Sequence, residues 1–480
     1  MDVIITSAQG VSIFDIERDL ISGALLGRRV QILDTMPLSG RNLTARLLDV
    51  QEMLTLRAEP RILQVERLEE MAVRAIPTLD VQQIITPVLS SSAIASHTNW
   101  ALDYCSNDST SSFYTYSHAG EGIDVVIMDT GIRVTHNEFK DAYGVSRVQQ
   151  IEWKAGQFTS KPAHYTDSNS HGTHVAGIAA GLTQGWAKKA HIYAIKIFDT
   201  GAYEYLEALQ LIRTWHLSKT NGRPTVVNMS WGFTSNYPSN YPDSLLAGKP
   251  HPIRVASVDA EVEDLIAAGA VVASSSGNDS AYVANSNEAA YNDYYMTNAS
   301  YQYVSDPAQA VYLYYYKRKT PAGAAGVICV GSNGDITTLL EKNRASYFSN
   351  IGPRVDIFAP GLYIQSASNL SDSGLVKKTG TSMSSPQTTG ILAIYLSMFP
   401  NASRSMLNQM LNAYGKHDVL PVSTLQGSAN LVLRSLYNGM RVKHQGSWKT
   451  VAPFVFNSGS VTPIRKVLYK NASTLKRVLG

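Results

Sequence analysis

The sequence predicts a doubly wound α/β domain with a mostly parallel sheet, preceded by a small ferredoxin-like α+β unit. Between about residues 120 and 440, continuous β-branched runs alternate with helical runs, which is typical of parallel strands buried on both faces. Before residue 70, short segments follow the order β-α-β-β-α-β, which is the order of a ferredoxin-like unit.

The N-terminal unit is predicted to cover residues 1–70. Its strands correspond to DVIITSA, RRVQILD, NLTARLL and ILQVERL, and its first helix to the apolar spacing in VSIFDIERDLISGALL. Asp49 followed by Glu52 is a capping-box signature for a second helix through Leu56, and Pro60 ends that helix. A unit of this size is marginal for independent stability.

A linker is predicted at residues 71–96, and the main domain at residues 97–440. The linker contains Pro77, Pro87 and the run SSSAIAS, a composition typical of exposed segments in which proteolysis concentrates. The strands of the main domain are expected in IDVVIMD, HIYAIKIF, TVVNMS, AVVASSS and VICVGS, and its helices in YEYLEALQLIRTWHL, VDAEVEDLIAAG and QTTGILAIYLSMF.

Three stretches depart from this alternation. Residues 233–256 are rich in Asn, Ser, Pro and Tyr, and residues 280–318 in Asn, Ala and Tyr. We expect both to be long surface loops, and a role in contacting substrate is the alternative. Residues 441–480 hold eight Lys and Arg and no Asp or Glu. We expect them to form a basic β extension built from two strand-turn-strand units.

Composition narrows the classes of partner. The net charge of +3 is too small to indicate a nucleic-acid partner. No apolar stretch reaches the roughly 18 residues that span a bilayer, so no membrane partner is expected. The start MDVIITSAQG does not have the pattern of a secretory signal. Cys105 and Cys329 could pair, but two buried thiols fit a chain of this length better.

The strongest sign of chemistry is the run GTSMSSP at residues 380–386. A nucleophilic serine needs a tight turn and backbone donors beside it for a developing oxyanion. Gly380 permits the turn, and Pro386 is tolerated in the first turn of a helix. Ser382 would stand at the helix N-terminus, where N–H groups and the dipole favour negative charge. An ordinary Ser/Thr-rich cap is the alternative.

Two further runs supply a candidate base and a candidate carboxylate. In NSHGTHVAG, His171 opens a predicted helix, and Gly172 and Gly177 would let neighbouring backbone approach. His171 and His174 could suggest a metal site, but the spacing is not H-E-x-x-H and no nearby acidic or Cys pattern completes one. His174 is therefore expected to be structural. In VVIMDTG, Asp129 ends a buried strand and could pair with His171 to fix its tautomer.

These runs occur in the order Asp, His, Ser, and SSSGN at residues 274–278 adds an amide, Asn278, that could stabilise an oxyanion. With them, the chain resembles subtilisin-like serine peptidases, closest to the proteinase K branch. The resemblance covers about residues 95–440 and is carried by VVIMDTGI, HNEF, NSHGTHVAGIAAG, GWAKKAHIYAIKIF, VVNMSWG, SSGN, YFSNIGPRVDIFAPG and GTSMSSP.

The resemblance implies a triad of Asp129, His171 and Ser382, with Asn278 as the oxyanion amide and no cofactor required for the chemistry. It also implies a strand that pairs with extended substrate and an opposite wall of the primary specificity pocket: Ser230, Trp231 and Gly232, and then Ser275, Ser276 and Gly277. Trp231 stands where the family has a small or aliphatic residue, and is expected to narrow a subsite. Because no acidic pair marks a pocket for basic residues, broad specificity is expected.

The N-terminal unit is similar to the family's inhibitory propeptide, most clearly in NLTARLLDVQEMLTLRAEPRILQVE. The resemblance implies an intramolecular chaperone and inhibitor that is cleaved off in the linker, near residues 70–96. Many members hold calcium in a loop after the catalytic-histidine helix, but residues 181–187 are too few for that loop. The turn at residues 331–335, which ends in Asp335, is a doubtful second calcium position, so structural calcium stays open.

The leading hypothesis is a serine endopeptidase made as a self-processing zymogen, acting on protein or peptide substrates. The alternative is a virion or structural protein of this fold that cleaves only itself, because QGSWKTV in the tail resembles short modules of bacteriophage tail and neck proteins. That alternative implies phage tail proteins as partners, and the location expected is cytoplasmic or virion-associated. An α/β-hydrolase esterase fails on motif, since its elbow needs G-x-S-x-G and Ser384 stands in the last place.

Overall fold

The computed structural model describes residues 1–35, 40–67, 73–74, 84–85, 99–106, 118–151, 163–198, 203–334 and 343–435, and six strands between residues 440 and 477. Residues 1–67 contain a small unit with its own apolar core, built around Val3, Ile5, Leu20, Leu43 and Val65. The larger part of the chain forms a nine-stranded sheet with helices on both faces.

The N-terminal unit has the predicted order of elements. They are β1 (Asp2–Ser7), α1 (Ile13–Ser22), β2 (Gln31–Thr35), β3 (Asn42–Arg46), α2 (Val50–Arg57) and β4 (Ile62–Arg67). The sheet order is β2-β3-β1-β4, as in a ferredoxin-like unit. The Asp49 side chain accepts the Glu52 N–H at 3.0 Å and caps α2, as the capping signature predicted.

The next elements in the chain lead into the main domain. They are β5 (Val73–Arg74), β6 (Ile84–Ile85), α3 (Trp100–Ser106), β7 (Asp124–Asp129), β8 (Val148–Gln149), α4 (His171–Ala180), β9 (His191–Lys196), α5 (Tyr203–Ser218), β10 (Thr225–Met229), β11 (Gly232–Asn236), β12 (Pro250–Pro252), α6 (Ala256–Ala267) and β13 (Val271–Ser275). After these come β14 (Tyr294–Thr297), β15 (Tyr303–Val304), β16 (Tyr312–Tyr315), β17 (Ile328–Asn333), β18 (Ile357–Pro360), β19 (Ile364–Ala367), β20 (Leu375–Lys378), α7 (Thr381–Met398), α8 (Arg404–Tyr414), β21 (Lys416–His417) and β22 (Leu431–Val432).

The large sheet has the order β21-β22-β18-β17-β13-β10-β7-β9-β8. All neighbouring strands are parallel except β21, which runs antiparallel to β22. Along β7, Val125 and Ile127 pack with α4 and α7, whereas Val126 and Met128 pack with α5 and α6. Because both faces are covered, the strand is apolar at every position. The predicted doubly wound fold, with its five strands and three helices, is confirmed.

The two insertions differ from the prediction of long loops. Residues 233–256 contain strands β11 and β12, and residues 280–318 contain the three-stranded sheet β15-β14-β16. Rings from the two insertions meet, with centroids 5.5 Å apart for Tyr237 and Tyr295 and 5.4 Å apart for Tyr241 and Tyr303. These Tyr rings supply the apolar contact that keeps the insertions ordered.

Among the described residues from 440 to 477, six strands form three antiparallel pairs, where two strand-turn-strand units were predicted. Their strands are β23 (Met440–His444), β24 (Ser447–Val451), β25 (Phe454–Asn457), β26 (Ser460–Pro463), β27 (Leu468–Asn471) and β28 (Thr474–Arg477). The predicted β character of this extension is therefore correct.

The two cysteines are separate buried thiols, as predicted. Cys105 and Cys329 are both unpaired, and burial raises the pKa of each thiol to about 12. Among the helices that the structure describes, none combines the length and apolarity needed to cross a bilayer.

The N-terminal unit docks on helix α6 through a buried carboxylate. Glu66, in β4, accepts the N–H groups of Ala256 and Ser257 at 2.6 and 3.0 Å and the Ser257 hydroxyl at 2.6 Å. These N–H groups belong to the first turn of α6 and have no partner within the helix. Close by, the Asn42 amide donates to Glu261 at 2.8 Å. The carboxylate therefore caps a helix of the main domain from outside it.

Replacing Glu66 with Ala should weaken this docking. The change leaves two buried N–H groups of α6 without an acceptor, at a cost of about 1–3 kcal/mol each. We expect the urea midpoint for unfolding of the N-terminal unit to fall in full-length protein carrying Ser382→Ala, which prevents any self-cleavage. Gln51→Ala, at an exposed position of the same unit, serves as the control. Equal midpoints for the two variants would contradict the assignment of Glu66 as an anchor.

Candidate active site

The site lies where neighbouring parallel strands of the large sheet end. Asp129 is the last residue of β7, Ser230 follows the end of adjacent β10, and Ser275 ends the next strand, β13. Above this edge, helices α4 and α7 pack against each other. The carboxyl ends of parallel strands are where α/β folds place ligands, so the structure gathers the predicted residues at the expected edge.

Asp129 and His171 form a buried pair. Asp129 Oδ1 lies 2.7 Å from His171 Nδ1, and their side chains are 0% and 4% exposed. The Thr130 N–H also donates to Asp129 Oδ1, at 2.8 Å. Because the carboxylate accepts from Nδ1–H, the proton of a neutral imidazole stays on Nδ1 and Nε2 is free to act as a base.

Two glycines make the pair sterically feasible. A Cβ on Gly172 would lie 2.2 Å from the carbonyl oxygen of Gly131. Gly131 has a φ of +99°, and a Cβ there would lie 2.1 Å from the carbonyl oxygen of Thr166. The first turn of α4 therefore rests directly on the end of β7, and side chains at these positions would push His171 away from Asp129.

Asp167, which was not among the predicted site residues, orients helix α4, which carries His171. Its carboxylate accepts the N–H groups of Asn169, Ser170 and Thr173 at 2.9–3.0 Å. It also accepts the hydroxyls of Thr130, at 2.9 Å, and Thr173, at 2.6 Å. One carboxylate thus ties the start of α4 to the end of β7. An Asp just ahead of a helix was the signal available in the sequence.

Ser382 is the second residue of α7, as expected for a serine at a helix N-terminus. Gly380, just before the helix, has a φ of +152°, a conformation that favours glycine. Pro386 lies in the second turn of α7, not in the first as predicted. Since Pro386 has no N–H, the Ser382 carbonyl lacks its usual helical donor, and the Ser230 hydroxyl donates to it at 2.9 Å.

The Ser382 hydroxyl and the His171 base make no hydrogen bond to each other in this structure. The hydroxyl donates instead to the Ser230 carbonyl at 3.1 Å. His171 Nε2 is buried and has no hydrogen-bond partner. Of the predicted triad, Asp129 and His171 are therefore paired. Ser382 is hydrogen-bonded instead to Ser230, just after the end of β10.

Asn228, in β10, holds residues 380–386, which carry the predicted nucleophile Ser382 and are called the nucleophile turn. Its amide nitrogen donates to the Ser230 hydroxyl at 2.9 Å, and its amide oxygen accepts the hydroxyls of Ser385 and Thr389 at 2.9 and 3.1 Å. All these side chains are buried. This network links β10 to two successive turns of α7, so the position of Ser382 relative to the sheet is set by several directed bonds.

Asn278 lies beside the nucleophile turn, as predicted for an oxyanion amide. Its side-chain oxygen accepts the Thr381 N–H at 2.9 Å and the Thr381 hydroxyl at 2.8 Å. These two donors require the oxygen on that side, so the NH₂ group faces the other way. A Cβ on Gly380 would lie 3.1 Å from that nitrogen, which places the amide donor against the turn that presents Ser382.

Asn350 shapes the loop at Ser275, Ser276 and Gly277. Its amide nitrogen donates to the Ser276 carbonyl at 2.9 Å, and its backbone N–H donates to the Gly277 carbonyl at 2.9 Å. Gly277 has a φ of +109°, and a Cβ there would lie 2.3 Å from the Asn350 amide nitrogen. The predicted wall is thus a rigid loop held from behind by one Asn side chain.

The strand at Ser230, Trp231 and Gly232 differs in one respect from the prediction. The Trp231 side chain is fully buried, with ring centroids 5.1 Å from Tyr205 and 6.0 Å from Phe233. It belongs to the apolar cluster that contains α5 and α6, so the expectation that it narrows an open subsite is wrong. Large apolar surface is removed from water by this packing.

The strand that continues from Ser230 into β11 is paired along one edge with the linker. Gly232 and Phe233 pair antiparallel with Arg74 and Val73 of β5. On the side of the nucleophile turn, β6 pairs antiparallel with β20 at Leu375 and Val376. The other residues of the predicted linker, within which cleavage was expected near residues 70–96, lie outside the described residues.

His174 is a structural histidine, as predicted. Its Nε2 lies 3.0 Å from the carbonyl oxygens of both Ile364 and Val376. Burial is the main reason that the pKa of His174 lies well below its ordinary value, and the positive charge of nearby Lys378 lowers this pKa further. The ring is therefore neutral. Within the described ranges, no three His, Cys, Asp or Glu side chains converge to hold a metal ion.

The carboxylate of Glu138 holds the short turn after α4, and its oxygens are occupied by hydrogen bonds from that turn. The Glu138 side chain accepts the N–H groups of Thr183 and Gln184 at 2.8 and 3.0 Å, and also the Thr183 hydroxyl. These donors do not fit a calcium site, in which carboxylate oxygens face the ion. Asp335, the other residue considered for calcium, lies outside the described residues.

Comparison with known proteins shows a common family. Residues 120–426 match the model of the subtilase family of peptidases. A cuticle-degrading serine protease of Arthrobotrys oligospora is 28% identical over 314 residues, which are 65% of this chain and 61% of that protein. An extracellular serine proteinase of a Thermus species is 27% identical over 406 residues, 82% of this chain and 78% of that protein. The chain spans about 60% of the length of the first curated relatives it matches.

Similarity among solved structures supports the fold. A cold-adapted subtilisin-like serine proteinase matches with a TM-score of 0.50 and 24% identity, covering 70% of this chain and 98% of that structure. The family match covers the strand ends and helix starts that carry Asp129, His171, Asn278 and Ser382. On the match over residues 120–426, the chain belongs to the subtilase family.

Proposed function

We propose that this chain is a serine endopeptidase that cleaves extended polypeptides and is made as a self-processing zymogen. The observation that carries the proposal is the buried Asp129–His171 pair, with Nε2 of the ring unbonded next to the helix that presents Ser382. The names of the relatives, which are serine proteases, agree with this activity.

The reaction begins when the Ser382 hydroxyl, which donates to the Ser230 carbonyl in this structure, turns to His171 Nε2. His171 takes the hydroxyl proton while the oxygen attacks the scissile carbonyl carbon. The Asn278 NH₂ group and the Ser382 N–H, which is free in the first turn of α7, bind the oxyanion. Asp129 stabilises the imidazolium through Nδ1–H.

The second half restores the enzyme. His171 gives its proton to the leaving amine as the C–N bond breaks, which leaves an acyl ester on Ser382. Water then attacks the ester, His171 takes a proton from that water, and the same oxyanion donors act again. The acid product leaves, and Ser382 regains its hydroxyl proton from His171. No cofactor enters any step.

The docked linker supports both the substrate geometry and the zymogen. A peptide that adds a strand to β11 gains main-chain hydrogen bonds independent of its sequence, and β5 makes this pairing at Gly232. Because β5 is antiparallel to β11, the chain at Arg74 heads toward Ser230 and Ser382. With Glu66 anchoring the N-terminal unit on α6, the linker would exclude other substrates until it is cut and released.

Ser382→Ala should abolish both casein cleavage and release of the N-terminal unit. Full-length protein would be incubated and followed by mass spectrometry, with labelling by a fluorophosphonate probe in parallel. Ser384→Ala is the matched control, because Ser384 is in the same turn and its buried hydroxyl makes no hydrogen bond. Processing, casein cleavage and labelling should persist in Ser384→Ala; their persistence in Ser382→Ala would refute the proposal.

Asp129→Asn should keep the fold and lower kcat about 10⁴-fold, because an amide favours the wrong tautomer of His171. Single-turnover rates on a peptide ester would measure the effect, and an unchanged thermal midpoint would show that the fold is intact. A loss smaller than tenfold would mean that the Asp129–His171 bond does not serve the reaction.

We also propose that the turn at residues 181–187 does without calcium, because Glu138 already closes it. Glu138→Ala should lower Tm by about 5 °C, since it removes three hydrogen bonds that hold this turn. Adding a chelator to the unaltered protein should leave Tm unchanged. If the chelator lowers Tm as much as the substitution does, a metal stabilises this region.

A further inference from the structure

A buried lysine lies against one predicted wall of the primary specificity pocket, at Gly232, and near Asp279, which follows the other wall in the chain. Lys319 follows the Tyr-rich insertion and is 2% exposed. Its ammonium nitrogen lies 3.3 Å from the carbonyl oxygen of Phe233, beyond one wall, and 3.7 Å from Asp279 Oδ2, next to Asn278 on the other. Lys319 therefore bridges the substrate strand and the oxyanion loop. The catalytic steps above do not use it.

The absence of a side chain at Gly232 leaves room for this lysine. A Cβ on Gly232 would lie 2.6 Å from Lys319 Cε and 2.9 Å from Lys319 Nζ. The end of the lysine side chain thus lies directly against the residue that pairs with extended chain in β5. Consider a peptide paired on the same edge, with its scissile carbonyl between Ser382 and Asn278. The side chain of the residue that bears this carbonyl would point toward the gap between the two predicted walls, where Lys319 lies.

The ammonium group has spare donor capacity. It carries three N–H donors, and in the described part of the chain the Phe233 carbonyl is its one acceptor within 3.5 Å. Asp279, at 3.7 Å, is beyond hydrogen-bond distance, and its Oδ2 accepts the Asn350 amide at 3.0 Å. Buried donors that lack acceptors cost free energy, so a ligand oxygen entering the gap would be stabilised.

An anionic side chain would meet the Lys319 ammonium directly, whereas the Asp279 carboxylate stands 3.7 Å from it. Burial lowers the pKa of Lys319, and the Asp279 carboxylate acts in the opposite direction. A second carboxylate, brought by a substrate, would also favour the protonated amine. A lysine or arginine side chain would instead bring a like charge to a buried cation, which is unfavourable.

We propose that Lys319 forms the floor of the primary specificity pocket and selects substrates with Asp or Glu on the N-terminal side of the scissile bond. This inference rests on the proposed endopeptidase activity and replaces the broad specificity expected from the sequence. Lys319 acts here as a specificity residue, because it contacts the substrate side chain and takes no part in the proton transfers.

The test is a set of tetrapeptide p-nitroanilides that differ only in the last residue, with Glu, Asp, Gln, Ala, Leu or Lys. The enzyme is the full-length chain after incubation. We expect kcat/KM for Glu or Asp to exceed that for Gln, Ala and Leu by about tenfold or more, with Lys the poorest. Lys319→Met should remove the preference and raise turnover of the Leu substrate.

Lys188→Met is the matched control. Lys188 is also buried, but it donates to the Gly185 carbonyl in the turn after α4, so its loss should leave the order of substrates unchanged. If Lys319→Met does not fold, the profile of the unaltered enzyme still decides.

The outcomes separate the two proposals. Equal turnover of all six peptides, a preference for Ala because the lysine fills the pocket, or an acidic preference that survives in Lys319→Met overturns this inference alone. Absence of turnover on every peptide, together with absence of fluorophosphonate labelling, overturns the proposed endopeptidase and this inference with it.

Discussion

The site depends on one buried hydrogen bond, between Asp129 and Nδ1 of His171, 2.7 Å apart. Burying a carboxylate is unfavourable unless it is well paired, and this carboxylate accepts from the imidazole and from the Thr130 N–H. The pairing needs α4 to rest on the end of β7, which Gly131 and Gly172 permit. The orientation of His171 therefore depends on the close backbone contact between α4 and the end of β7.

Ser230 connects the nucleophile to the substrate edge. Its hydroxyl donates to the Ser382 carbonyl, and its own carbonyl accepts the Ser382 hydroxyl. The next two residues lead into β11, the strand that the linker pairs with at Gly232. The lack of an N–H at Pro386 allows this arrangement, because it frees the Ser382 carbonyl from the helical ladder. A peptide bound along this edge thus lies close to the attacking oxygen.

The N-terminal unit and the insertions add to this edge from outside the catalytic core. Glu66 caps α6, whose residues pack beneath the sheet, while β5 occupies the edge of β11. These contacts lie on elements at both ends of the same insertion, residues 233–256. The other insertion, residues 280–318, is followed by Lys319, whose ammonium group lies near Phe233 and Asp279. Segments far apart in sequence therefore meet around one strand, and both inhibition and selectivity are proposed to act there.

The sequence by itself determined the element order of the N-terminal unit, five central strands and three helices of the main domain, and the positions in the chain of Asp129, His171, Asn278 and Ser382. Continuous apolar runs identify strands buried on both faces, and short motifs around Gly and Ser mark the strand ends and helix starts. These signals are local in the chain, so they are readable without the fold. The same is true of the capping residues Asp49 and Glu52.

Only the tertiary structure decided which distant groups meet. Trp231 is adjacent to the substrate strand in sequence, but its ring turns into the cluster with Tyr205 and Phe233. Tyr237 and Tyr241 of one insertion pack on Tyr295 and Tyr303 of the other, more than 50 residues away in the chain. Asp167 and Lys319 gain their roles from partners on other elements. A single sequence carries no record of such contacts, since they arise from packing between segments distant along the chain.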